Sequence, residues 1–221
     1  MTGVSVVTIR QDLAALEKEG FIRRTHGGAT LLESDDIARR LGIRYSQKLA
    51  IAAKAADLVV DGETVLLESG SANALLARAL ASRRIQIIAA NTFIARQVRP
   101  GDPAKVVVLG GVYQPDSESL VGPLARQAIE TTFVNKAFLG IDGFTIDSGF
   151  TNRDMMRAEI AAVIVKRCPA AYILADSSKF GATGMARICG LDDIAGIITD
   201  RELPEQYARL VTSSRAELIL A

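Results

Sequence analysis

From about residue 43 onward the chain alternates short β-branched apolar runs with helix-length amphipathic segments, and this alternation limits the fold more than any other feature. The apolar runs are 64–68, 85–89, 105–109, 136–140, 171–175, 196–199 and 217–220. Between them, segments 45–60, 74–82, 93–98, 124–132, 154–168 and 204–211 carry helical periodicity. Strands buried on both faces read as unbroken apolar runs, because neither side meets water. The expectation is therefore an α/β fold with an open, mainly parallel sheet and helices on both faces. With 49% of the 221 residues apolar, both faces can be covered.

The first 42 residues follow another pattern. Val6, Ile9, Leu13 and Leu16 recur at helical spacing, which predicts a helix over 5–19 with that stripe turned inward. Ser5 suits its N-cap and Gly20 its end. Two short strands, 21–24 and 29–32, are expected around a tight turn at His26-Gly27-Gly28. Residues 33–40 are polar, acidic then basic, and read as a linker. The expected domains are 1–32, a linker at 33–42, and 43–221. The outer helix side presents Thr8, Gln11 and Lys18, with Arg10 on the flank. Gln11 can pair with an adenine edge, Thr8 with a base or phosphate, and Arg10 with guanine or backbone. Arg23, Arg24 and His26 on the hairpin can reach phosphates or a groove. A solvated amphipathic helix has the same pattern.

Other chemistry is narrowed by composition. His26 is the sole histidine, so a histidine-based triad elsewhere is excluded. Cys168 and Cys189 lack metal-type spacing and read as reduced thiols. No cofactor or metal is expected. No apolar run approaches the roughly 20 residues that span a bilayer. The N-terminus lacks signal-peptide character, so a cytoplasmic protein with no membrane partner is expected. Net charge is +1, and charge alone does not single out nucleic acid.

Several loops follow predicted strands, where open α/β sheets receive ligands. Ser69-Gly70-Ser71-Ala72-Asn73 offers small residues, three side-chain donors and a helix N-terminus to an anion, although tight turning alone favours the same composition. Asn91, Gly110-Gly111, Gly122 and Asp142 stand at later loops, and Lys179 brings a cation to the same sheet edge.

The string Ser5-Val-Val-Thr-Ile-Arg-Gln-Asp-Leu, with Leu16-Glu17, Gly20 and the basic strand ending His26-Gly27-Gly28-Ala29, resembles the recognition helix and wing of DeoR-family transcriptional regulators. Further matches run through Lys48-x-x-Ile51-Ala52, Asp61-Gly62, Ser69-Gly70, Asn91, Gly110-Gly111, Gly122, Phe138-Leu139-Gly140, Asp176-Ser-Ser-Lys-Phe-Gly181 and Ile198-Thr-Asp200. Gln11, Gln47, Ala72 and Ala161 depart from the usual pattern. The resemblance implies a partial winged helix-turn-helix ahead of a sensor domain similar in fold to ribose-phosphate isomerases and CoA transferases. It implies a DNA-binding regulator, a repressor by expectation, that answers to a phosphorylated sugar or related metabolite. Effector contacts are expected from Lys48, Ser69, Gly70, Ser71, Asn73, Asn91, Gly110, Gly111, Gly122, Asp142 and Lys179. Paired half-sites imply a homo-oligomer. The family carries two more helices, roughly 30 residues, before the recognition helix. A chain starting at residue 1 is thus expected to bind operator DNA weakly or not at all. The alternatives are a sugar-phosphate isomerase, with Asp142 and Glu159 as its carboxylates, and a ligand-binding remnant without DNA affinity.

Overall fold

The structure, a computed structural model, describes residues 6–18, 22–25, 28–31 and 35–221. Helix α1 (Val6–Lys18) precedes an antiparallel hairpin of β1 (Ile22–Thr25) and β2 (Gly28–Leu31). Thr25 pairs with Gly28. His26, and the side chains of Lys18 and Arg23, lie outside the described residues. Two residues of the stripe expected to face inward are open, Ile9 at 43% and Leu16 at 39% exposure, and Leu13 is half-buried. α1 packs along β1, and a four-residue strand is too short to cover a 13-residue helix.

The expected linker is partly a helix, α2 (Ile37–Gly42). Asp36 caps it, Oδ1 accepting from the amides of Ala38 at 2.8 Å and Arg39 at 3.3 Å. Ile37 is 3% exposed and Leu41 packs beside the same core. Two apolar residues four apart, behind a cap, outweigh the charge that suggested a solvated tether.

Next come α3 (Tyr45–Asp57), β3 (Thr64–Leu67), α4 (Ser71–Leu80), β4 (Gln86–Ala89), α5 (Thr92–Ala95) and β5 (Lys105–Val108). The hairpin of β6 (Val112–Gln114) and β7 (Ser119–Val121) leads into α6 (Pro123–Thr131) and β8 (Lys136–Leu139). The chain continues through β9 (Gly143–Thr145), β10 (Gly149–Asn152), α7 (Met155–Arg167), β11 (Ala171–Leu174), a 3₁₀ turn (Ser177–Lys179) and β12 (Ala186–Cys189). It ends with β13 (Gly196–Thr199), α8 (Glu205–Thr212) and β14 (Glu217–Leu220).

Seven strands form one parallel sheet in the order β14-β13-β11-β8-β3-β4-β5. All seven apolar runs supply its strands. Side chains alternate between faces: Leu66, Ala137 and Ile173 join the core under α6, α7 and α8. Val65, Leu67, Phe138 and Leu174 join the opposite core under α2, α3, α4 and α5. The β6–β7 hairpin and the small β12–β10–β9 sheet were not expected, since their strands mix polar residues and glycine with apolar ones and show no unbroken apolar run.

The order of the strands determines where a ligand can enter. From β3 the chain moves outward through β4 to β5, and from β8 it moves the other way through β11 and β13 to β14. The loops after β3 and β8 therefore diverge above neighbouring strands, and a crevice opens at their carboxyl ends.

Candidate anion-binding site

The loops after β3 and β8 meet backbone to backbone. Gly70 has φ of +99°, a conformation that favours glycine, and caps α4. A Cβ at Gly140 would stand 2.7 Å from the Ser69 carbonyl oxygen and 3.4 Å from the Gly70 Cα. Beside this contact is a cleft of about 70 Å³, lined by Ser69, Gly70, Ser71, Ala72, Gly140 and Ile141. Its other walls are Arg40 and Ile43 near the end of α2, Lys48 of α3, and Leu174, Ala175, Asp176, Ser178 and Lys179 after β11. α4 directs its unpaired first-turn amides here, with the positive end of its dipole.

Three cations surround these amides. Burial pushes the Lys48 ammonium down to about 8; Asp176 opposes this, and Arg40, Lys179 and Arg44 reinforce it by repulsion. Lys179 is lowered for the same reasons, burial first and Arg40 next. Its ammonium makes no hydrogen bond to a described residue. Arg40 Nη2 bonds Asp142 Oδ1 at 3.1 Å. Burial alone would raise the Asp142 carboxyl, but Arg40, the Arg153 amide and Arg157 together hold it below the usual range. Asp176 is the one carboxylate lining the cleft, and it is already engaged by Arg44 Nε at 3.4 Å and by Ser178. The balance is positive, and small N–H donors lie between the charges, as an oxyanion requires.

Glu68 lies directly beneath. It is 2% exposed and accepts from Ser69 Oγ at 2.9 Å. Complete burial raises its carboxyl to about 7, against the lowering pull of Ser69, Arg157 and Gly140.

Lys48, Ser69, Gly70, Ser71 and Lys179 are thus brought together. The other expected contacts are not on the cleft wall. Asn73 is 1% exposed, and its amide donates to the carbonyls of Ser69 at 2.7 Å and Phe138 at 3.1 Å, tying the β3 loop to β8. Asn91 is fully buried, caps α5 and donates to the Ser117 carbonyl at 2.8 Å. Gly111, at φ +135°, packs against Val121 and Ala125; Gly110 before it is exposed, and Gly122 caps α6. Asp142 stands behind Arg40. The amides of Asn73 and Asn91 are spent on backbone carbonyls, and the Asp142 carboxylate on Arg40 and the Arg153 amide. Arg40 was missed because its segment looked like a tether; the Asp36 cap and the Ile37/Leu41 pair were the signal available. Glu159 does not join Asp142: it is exposed on α7 and pairs with Arg126 at 3.1 Å.

On α1, Thr8, Arg10 and Gln11 are exposed, as is Arg24 on β1, whose backbone amide donates to Glu17 Oε1 at 2.9 Å. Among the described residues no helix is long and apolar enough to cross a membrane.

Comparison with known proteins follows the same division. Residues 43–201 match the family described as DeoR C terminal sensor domain, and residues 1–35 match the DeoR-like helix-turn-helix domain. The chain is 32% identical over 205 residues to the HTH-type transcriptional regulator GolR of Listeria innocua, covering 90% of this chain and 81% of that protein. It is 28% identical to the L-fucose operon activator of Haemophilus influenzae, covering 93% and 84% respectively. Ribose 5-phosphate isomerase A from Methanocaldococcus jannaschii superposes on 62% of this chain and 54% of that one, with 20% identity and a TM-score of 0.44. An exposed helix and wing of DeoR type, ahead of a parallel-sheet sensor domain, therefore make this chain a member of the DeoR family of transcriptional regulators.

Proposed function

We propose that the cleft at the carboxyl ends of β3, β8 and β11 binds the phosphate of a phosphorylated sugar, and that its occupancy sets how strongly the N-terminal element reads operator DNA. One observation carries this reading: Arg40, Lys48 and Lys179 converge with the first-turn amides of α4 on a single cleft. Ser69, Gly70 and Ser71 form its floor. In the N-terminal element Thr8, Arg10, Gln11, Lys18, Arg23, Arg24 and His26 are the DNA contacts we propose. The division into 1–32, 33–42 and 43–221 separates these two tasks, with α2 inside the connection. Two copies reading paired half-sites make a homo-oligomer the working species, which analytical ultracentrifugation tests.

The domain senses its ligand without turning it over. The isomerase reading names Asp142 and Glu159 as its carboxylates, and the exposed Glu159 pairs with Arg126 and does not join Asp142. Sugar-phosphate conversion followed by NMR is expected to show none above background.

The direct test is a thermal-shift series with aldose and ketose monophosphates against their unphosphorylated parents. A true effector at a hundredfold excess over its Kd adds about 2.7 kcal/mol. Lys179→Ala and Ser69→Ala are each expected to remove the shift. Equal shifts from phosphorylated and unphosphorylated sugars would overturn the phosphate reading.

A further inference from the structure

The cations facing the cleft also hold α2 in place. Lys48 Nζ donates to the carbonyl oxygen of Arg40 at 2.5 Å, at the end of α2, where the Ile43 amide donates to the same oxygen at 3.3 Å. Arg40 Nη2 bonds the buried Asp142 at 3.1 Å, and its guanidinium lies 4.0 Å from Asp35. Asp35 in turn pairs with the buried Arg157 at 3.0 Å. Only five residues separate β2 from α2.

A phosphate entering this cleft competes for both cations. It carries more charge than the Asp142 carboxylate and offers several oxygens to the guanidinium fork. Asp142 and the phosphate repel each other, so a phosphate held by Arg40 weakens the Arg40–Asp142 pair. A carbonyl dipole is likewise a weaker partner for Lys48 than an anion in the same cleft.

We propose that phosphate binding is exchanged against the anchoring of α2: Arg40 leaves Asp142 for the ligand, Lys48 gives up the Arg40 carbonyl, and α2 loosens. The inference rests on the cleft being a phosphate site. It supplies the differential interaction that any ligand-driven change requires, because the two conformations differ in which anion the same cations hold. The structural consequence is local, in the segment leading to the wing.

Hydrogen exchange of the full chain, with inorganic phosphate against potassium chloride at matched ionic strength, tests this. Phosphate is expected to slow exchange in the first turn of α4 and around Ser177–Lys179. It is expected to speed exchange several-fold at the amides of residues 40–43. Opposite signs in one molecule are the signature, since ordinary ligand stabilisation slows both regions. Asp142→Asn, which keeps a carbonyl oxygen for the Arg153 amide, is expected to bind phosphate roughly threefold or more tightly. Its residues 40–43 should exchange fast before phosphate is added. Slowed or unchanged exchange at 40–43, with α4 protected, overturns the exchange of partners and leaves the phosphate site standing. Equal loosening by chloride overturns it too. Absence of protection in α4 overturns both readings. If Asp142→Asn does not fold, the sign of the change in the wild-type chain decides.

Discussion

Glu68 sits fully enclosed at the end of β3, where an ionised carboxylate is costly and a neutral one is not. Its folded value of about 7 exceeds the ordinary 4.5, so the folded state binds the proton more tightly than the unfolded state does. The stability this contributes is fully present below about pH 4.5 and is lost as pH rises through 7. Glu68→Gln is therefore expected to match the wild type near pH 5 and to exceed it above pH 7, by on the order of 1–3 kcal/mol. Denaturant melts across that range check it, and a gap that does not change with pH would count against the mechanism. Lys48 works in the opposite direction. Its ammonium is pushed down to about 8 by burial, with Asp176 opposing and Arg40, Lys179 and Arg44 adding repulsion. An anion needs the charged form, so phosphate affinity should fall as pH rises through about 8. Calorimetry should find proton uptake on binding above that pH, and Lys48→Met should remove the uptake.

α2 shows what an element of six residues can depend on. Ile37 is its anchor in the core beneath α4, and Ile37→Ala is expected to cost about 2–4 kcal/mol. The loss should appear in urea melts as an earlier midpoint with little change in slope. The same helix marks the limit of what the sequence could reveal. Long elements were legible because buried parallel strands cannot hide their apolar runs and the longer helices repeat over several turns. α2 was obscured because Asp35, Asp36, Arg39 and Arg40 dominate its composition, and its single apolar pair is easily taken for chance. All of the proposed site but Arg40 was named from the sequence, four of its residues for a related reason. Ser69, Gly70, Ser71 and Lys179 lie in loops whose chemistry is local. The burial of Asn73 and Asn91 depends on which strand lies next door, and strand order is set by topology rather than by neighbours in sequence. The open stripe of Ile9 and Leu16 belongs here too, since helical periodicity identifies an apolar face without identifying what covers it.

At the scale of the whole molecule, β8 and β3 are the seam between two halves that wind in opposite directions. Phe138 on β8 is fully buried and stacks on Tyr172 of β11 at 5.7 Å between ring centroids. Phe138→Ala is expected to cost about 3–5 kcal/mol, a large share of the 5–15 kcal/mol that holds a typical domain together. Both halves should then melt at one lowered temperature, which calorimetry would register as a single transition. A ligand at the seam touches loops from either half, so its binding should raise that shared transition as a unit. The meeting of Gly70 and Gly140 has one more consequence. With hydrogen atoms alone between the two backbones, one methyl group there acts as a wedge, and no trimming at this spot can give a larger guest more room. Any reshaping of the chamber for bulkier cargo has to come from the opposite wall, by shortening Ile43 or Leu174.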